Sequence, residues 1–346
     1  MRILIATGIY PPDVGGPAQY ALNVEKVWKS LGHQVDAKTF RLERKMPAGL
    51  RHVFYFFKCL PKATRADFIF ILDTWSAALP AVLLGWLFRK KIIIRVGGDF
   101  LWESYLERTG DLLPLPRFYE KRPRLNFKER IISRLTGFVL RRASRLAFNS
   151  DWQRNIMIPA YGLNPEKTSI VLNFFGEKLP FTPPACQSLS EAKAGRPAAK
   201  NFIFAARAIK LKNTDNLRRA FAEAKKKDPS LSLDERLTSH EKLFERLASC
   251  YAVILPSVSE VSPNLILDAL RFSKPFILTR ECGLYETLKG VGLFVDPLSV
   301  SDITEKILML ADAKTYKHYQ IKARRFSFAH SWEEIAEEFL ALAKRT

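Results

Sequence analysis

The sequence predicts an α/β protein built of two Rossmann-like, doubly wound parallel-sheet domains, the second smaller than the first. Three observations carry this. Short apolar segments alternate with helix-patterned segments through the first half, a Pro- and Ala-rich stretch from Leu179 to Lys200 breaks the alternation, and a briefer alternation resumes after it. Strands buried on both faces read as continuous apolar runs, and regular strand–helix alternation builds a parallel sheet.

In order, strands are expected at 2–6, 34–39, 68–72 and 91–96, with helices at 17–31, near 50–61 and at 76–88. A long insertion follows, then helix 127–142, strand 145–148, helix 151–160 and strand 168–172. The apolar run from Phe68 to Phe88 is about long enough to span a bilayer. Asp73 and Pro80 interrupt it, however, and it is read as strand, helix and the start of a βαβ unit. The second half gives strands near 201–206, 251–255, 275–278 and 292–295, with a short one at Leu231–Leu233. Helices at 214–227, 240–249, 263–272, 301–312 and 315–326 fill the gaps. The last helix, Trp332 to Lys344, repeats Ile335, Phe339 and Leu342 at a spacing that buries one face. Domains are placed at 1–180 and 201–330, with a linker at 181–200 and a terminal helix at 331–346.

At 346 residues, 47% of them hydrophobic, the chain is a globular protein with room for two cores. Its net charge is +20 and uneven: residues 1–180 carry 29 Lys or Arg against 15 Asp or Glu, and 181–346 carry 26 against 20. An anionic partner is therefore expected on the first half. Cys59, Cys186, Cys250 and Cys282 are far apart and form no ligand-like pair, which fits free thiols in a reducing compartment. The opening apolar run breaks at Gly8 and Pro11, unlike an export leader, so a cytoplasmic protein is expected, placed at the inner face of the cell membrane if it touches one.

The richest chemistry lies at Glu260-Val261-Ser262-Pro263-Asn264-Leu265-Ile266-Leu267-Asp268, after the apolar strand at Tyr251–Leu255. Ser262 suits a helix N-cap and Pro263 the first helical position, so free backbone N–H groups and a positive helix end would lie beside Glu260. A second strand, Phe202–Ala206, runs into Arg207-Ala208-Ile209-Lys210-Leu211-Lys212-Asn213. Arg207 could fork onto phosphate oxygens while Lys212 acts as a point charge. Both segments fall at the carboxyl ends of strands, where open α/β sheets bind ligands.

These residues resemble the retaining, GT-B-fold glycosyltransferases of family four, over most of the chain. The likeness begins at Arg2–Ala6, continues through Tyr10-Pro11-Pro12-Asp13-Val14-Gly15-Gly16 and Gly32-His33-Gln34-Val35, and returns at Arg207, Lys212, Glu260 and Asp268. It implies two Rossmann-like domains facing a cleft, a nucleotide-diphosphate sugar as donor, and a hydroxyl acceptor in a glycan or lipid-linked glycan. Arg207 and Lys212 would hold the donor's diphosphate, with backbone N–H groups near Asn264 and Leu265. Glu260 would face the transferred sugar, Asp268 the ribose hydroxyls, and the terminal helix would cross back to the first domain. The chain departs from the family in three ways: Asp268 stands where Glu is usual, Val261 where small residues are common, and the segment between Lys212 and Tyr251 is short of two strands that usually help hold the base. No Asp-x-Asp pair occurs, so no cofactor or metal is expected, and cations would take the metal's place.

The remaining candidates each have a plainer alternative. Gly15 and Gly16 could cradle a phosphate or sugar, or simply turn the chain. Asp99, after Gly97-Gly98, is either a base for the acceptor hydroxyl or the N-cap of the next helix. Asn173 is either a ligand contact at the interdomain hinge of the resembling family or a turn residue. Lys121 to Arg145 holds nine Lys or Arg and one acid, Glu129, around a helical apolar repeat. Weak contact with an anionic membrane surface is favoured there over a merely solvated face. For the whole chain the rival to transfer is a degenerate, non-catalytic relative that binds a nucleotide sugar or glycan. Specific nucleic-acid binding has no support beyond net charge.

Overall fold

In the computed structural model, residues 1–13, 15–180 and 199–345 are described. Nearly all of the expected linker at 181–200, with Cys186, lies outside them.

Contact density divides the chain into two units: Met1–Tyr105 with Tyr119–Phe174 and His330–Thr346, and Leu106–Phe118 with Phe175–Ala329. The first unit carries a six-stranded parallel sheet of β1 (Arg2–Thr7), β2 (Gln34–Thr39), β3 (Phe68–Ile71), β4 (Lys91–Val96), β5 (Arg145–Phe148) and β6 (Thr168–Ile170). Its order is β2-β1-β3-β4-β5-β6. Side chains alternate between its faces as pleating requires. Leu4, Ile69, Ile92 and Ile94 join one core, packed under α2 (Ala48–Ala63), α3 (Ala78–Leu87) and α6 (Phe127–Arg142). Ile3, Phe68, Phe70 and Ile93 join the opposite core, packed under α1 (Gly16–Ser30) and the terminal helix Trp332–Lys344. There the Trp28 indole N–H donates to the Ala336 carbonyl (3.0 Å) and Phe70 meets Phe339 with ring centroids 4.6 Å apart.

Local chemistry sets several ends. Asn126 and Glu129 form a reciprocal capping box that starts α6 at Phe127, and Ser331 with Glu334 does the same for the terminal helix. The next helix of the first unit, α7 (Asp151–Tyr161), is capped by Ser150 and stops at Gly162 in the left-handed region. Two helices stand inside the insertion that the sequence left unassigned, α4 (Phe100–Thr109) and α5 (Leu115–Lys121).

The second unit holds a five-stranded parallel sheet of β7 (Lys200–Ile203), β8 (Leu231–Asp234), β9 (Ala252–Leu255), β10 (Phe276–Thr279) and β11 (Leu293–Val295), in the order β11-β10-β9-β7-β8. The remaining helices are α8 (Thr214–Lys227), α9 (His240–Ser249), α10 (Asn264–Arg271), α11 (Tyr285–Leu288), α12 (Val300–Ala311), α13 (Ala313–Arg325) and α14, the terminal helix. One strand, β8, stands between Lys212 and Tyr251, and it pairs with β7 alone. Strand order reverses at β7 and β9: the chain leaves β7 for β8 on one side and returns to β9 on the other. The loops after β7 and β9 therefore flank a switch point, the place where sheets of this kind bind ligands. Those loops contain Arg207–Lys212 and Glu260.

Gly292, just before β11, packs against the ring of Phe276 on β10, and a Cβ there would lie 2.4 Å from two of its carbons. Phe276 is fully buried and cannot swing away. Gly292→Ala should therefore lower stability by about 1–3 kcal/mol, read as a drop in denaturant midpoint at unchanged slope. An unchanged midpoint would contradict this packing.

Candidate functional site

The loop after β7 is held by three contacts. Leu211 is buried as its anchor, the Val258 N–H donates to the Leu211 carbonyl (2.9 Å), and Asn213 takes the left-handed conformation at φ 59°. Asn tolerates that region better than most residues. The Asn213 side-chain amide then donates to the carbonyls of Pro256 (2.9 Å) and Pro297 (2.6 Å), joining the loops after β7, β9 and β11.

This scaffold brings Lys212 onto Glu260. The Lys212 ammonium donates to Glu260 Oε1, which also accepts the Ser257 hydroxyl (2.6 Å). Glu260 is itself fixed by its backbone: its N–H donates to the Glu281 carbonyl and its carbonyl accepts from Gly283, both at 2.8 Å. Among the described residues no hydrogen bond goes to Oε2. Both side chains are largely buried, so removing one would leave the other as an uncompensated charge, a loss of about 3–5 kcal/mol in comparable sites.

Arg207 is exposed on the same loop, and its guanidinium makes no ion pair with a described residue. A cavity of ≈ 230 Å³ opens beside the loop, lined by Glu107, Ile209, Lys210, Asn213, Asp215 and Arg218. It is smaller than the usual ligand pocket of about 300–1,000 Å³ and includes neither Lys212 nor Glu260. Within it the Glu107 carboxylate accepts the Lys210 backbone N–H (2.6 Å), so this loop's main chain already binds an anionic oxygen.

Helix α10 begins one residue later than expected. Pro263 is its N-cap, and the Ser262 hydroxyl reaches Asn264 Oδ1 (3.5 Å) without capping the helix. The cause is a tight turn: the Asn264 N–H donates to the Ser262 carbonyl (3.0 Å), and Pro263 accepts from Ile266 and Leu267. Of the two N–H groups assigned to an anion, Asn264's is thus engaged, while Leu265's donates to no described residue.

Asp268 lies on the second turn of α10. Arg271 and the imidazole Nε2 of His240, at the start of α9, each stand 3.8 Å from its carboxyl oxygens. Burial pushes its carboxyl up to about 7, with Arg271 pulling the other way. Burial and the charge of Arg271 both lower His240, so near neutrality the ring is uncharged and the pair is not an ion pair.

The other candidates belong to the first unit. Gly15 is the N-cap of α1 at φ 151°, ψ 156°, a region essentially restricted to glycine, and Gly16 opens the helix. Asp99 is buried with both oxygens occupied: Oδ1 accepts the Trp102 N–H (2.9 Å) at the start of α4, and Oδ2 accepts the Tyr119 hydroxyl, itself 2.8 Å from that of Tyr161. The capping hydrogen bond named as its plainer role is present. Burial raises the Asp99 carboxyl despite these donors. Asn173 accepts from the buried Arg95 guanidinium (2.6 Å), which lies 3.8 Å over the Tyr20 ring.

Ser257, Asn213, Glu107 and His240 were not anticipated from sequence. Ser257 and Asn213 sit within three residues of Glu260 and Lys212, which was a usable signal. Glu107 and His240 reach the site only through tertiary packing. Among the described residues no group of three or more His, Cys, Asp or Glu is placed to hold a metal ion.

No protein-family profile matches the sequence, and a comparison with curated protein sequences finds no match. Solved structures match along the whole chain. Sucrose-phosphate synthase from Thermosynechococcus elongatus aligns over 99% of this chain and 98% of its own with a TM-score of 0.67 at 15% identity. Anabaena Alr3699/HepE, in a complex with UDP and glucose, aligns over the full length of both at 0.66 and 13%. WaaG, a glycosyltransferase of lipopolysaccharide biosynthesis, aligns over 99% of this chain and all of its own at 0.67 and 13%. The two parallel sheets of six and five strands match the two-domain GT-B fold of these proteins.

Native Asp268 keeps its proton between its ordinary value of 3.8 and about 7, where the unfolded chain has released it. Its contribution to stability therefore falls as pH rises through that window. Stability of Asp268→Asn should fall less steeply than wild type from pH 4 to 7, leaving the variant relatively more stable at pH 8. Parallel curves in denaturant titrations would contradict the buried-carboxyl assignment.

Proposed function

We propose that the protein is a glycosyltransferase that moves a sugar from a nucleotide-diphosphate sugar to a hydroxyl acceptor, with retention at the anomeric carbon. The observation that carries this reading is the meeting of Lys212 with Glu260 at the β7/β9 switch point, beside an exposed Arg207. A fold matching that of HepE, which was crystallised with UDP-glucose, supports a nucleotide sugar as the ligand and makes UDP-glucose the first donor to try.

In the proposed reaction the anomeric C–O bond to the diphosphate breaks, and its electron pair leaves with the diphosphate. The acceptor oxygen bonds the same face of the anomeric carbon, and its proton passes to the departing phosphate oxygen. Negative charge on the leaving group grows through this step, so fixed cations and dipoles aimed at it lower the barrier. Arg207 and Lys212 would supply the cations, and the first turn of α10, through Leu265 N–H, the dipole. Glu260 would hold a hydroxyl of the sugar through Oε2, and ionised Asp268 the ribose. This assignment needs no metal ion. Gly15 and Gly16 would approach the donor by their main chain, and Asp99 would act on the acceptor only if Tyr119 released it. The acceptor is proposed to be a cell-surface polysaccharide or glycolipid precursor, handled in the cytoplasm.

The alternative, a non-catalytic binder of nucleotide sugar, draws on the reduced second sheet, with five strands against six. Donor turnover decides between them. Arg207→Ala should lower turnover of UDP-glucose by about 10²–10³-fold, followed as UDP release. Wild-type turnover in that variant would overturn the role of Arg207. Binding of the donor by the wild type, seen as a thermal shift, without turnover on any acceptor would favour the binder.

A further inference from the structure

The outer surface of α2, α3 and α6 is apolar where solvent-facing helices are usually polar. On α2, Val53, Phe54 and Phe57 point away from the core side marked by Tyr55 and Cys59, and Phe57 is 63% exposed. On α3, Trp86 and Leu87 do the same, Trp86 being 62% exposed. At the start of α6, Phe127 is 72% exposed. Helix α3 packs against both α2 and α6, and all three lie over the same face of the first sheet, so these side chains share one surface. Its charge is of one sign. Arg130, Arg134 and Arg142 lie on the exposed side of α6, with Arg142 over the Trp86 ring at 5.7 Å, while the one acid of 121–145, Glu129, is buried in its capping box.

We propose that this surface docks on an anionic lipid bilayer, its aromatic side chains entering the acyl boundary and its arginines lying on lipid phosphates. The argument is complementarity of two kinds at once, since a bilayer interface offers apolar depth beneath fixed negative charge. A second copy of the chain fits poorly, because facing 121–145 segments would bring nine cations against nine with a single buried acid on each. Nucleic acid would match the cations and leave the phenyl and indole rings unused. The contact enlarges the one expected for 121–145 alone, and it stands independently of the transferase reading. No helix among the described residues is long and apolar enough to cross a membrane, so the contact lies along the interface.

Co-sedimentation of the full chain with phosphatidylcholine vesicles, with and without about 30% phosphatidylglycerol, tests this. Wild type should pellet with the anionic vesicles. Phe54→Ser/Phe57→Ser/Trp86→Ser should weaken partition at least about tenfold while keeping the wild-type circular dichroism spectrum. Arg130→Gln/Arg134→Gln should weaken it and flatten its salt dependence. The proposal is overturned by wild type that stays in solution with anionic vesicles, by a serine variant that binds as wild type does, or by a wild-type dimer in light scattering that the serine variant abolishes.

Discussion

The reversal of strand order between β7 and β9 is the constraint on which the candidate site depends. Parallel strands put every β-to-α loop at one sheet edge, but only at a reversal do two such loops diverge to opposite sides and leave a crevice between them. In this chain the loops concerned carry the cationic segment Arg207–Lys212 and Glu260. Asn213 fastens them through Pro256 and Pro297, and the Lys212–Glu260 ion pair closes across the gap. Topology brings the residues near one another, and side-chain hydrogen bonds set their register.

The pair is polarised in a way that suits a charged ligand. Glu260 directs Oε1 to Lys212 and Ser257, which leaves Oε2 for another partner, and Arg207 adds an exposed guanidinium on the same loop. A lysine held by a carboxylate is kept in place before a ligand arrives. Preorganisation of that kind is what electrostatic stabilisation of a leaving group requires, because no reorientation is then needed during reaction. Asp268, raised to about 7 by burial, adds a carboxyl whose charge changes near neutrality.

Much of this was legible in the residues. Helices 127–142, 214–227 and 240–249 and strand 145–148 match to the residue, because a polar residue (Asn126, Asn213, Ser239) stands before each helix and apolar periodicity runs through it. The βαβ reading of Phe68–Phe88 held for the same reason: Asp73 accepts three backbone N–H groups in the loop before α3, where a spanning helix would leave a buried charge. Helix α5 and the extent of α4 beyond its Asp99 cap were missed because each is short and lies in a stretch without sustained periodicity. The start of α10 was misjudged since Ser262 spends its carbonyl on a tight turn, a choice that capping statistics do not contain. The inclusion of Leu106–Phe118 in the second unit, with Glu107 on the Lys210 N–H, is set by tertiary packing and leaves no local trace.

The basic, aromatic surface of α2, α3 and α6 and the β7/β9 site lie in different units, and the ligands proposed for them differ, a bilayer for one and a diphosphate for the other. The site is the central claim, and a crystal structure with UDP-glucose bound tests it most directly. The account predicts diphosphate oxygens within about 3.2 Å of both the Lys212 ammonium and the Arg207 guanidinium. A diphosphate bound elsewhere, with those two cations unengaged by it, would contradict the account.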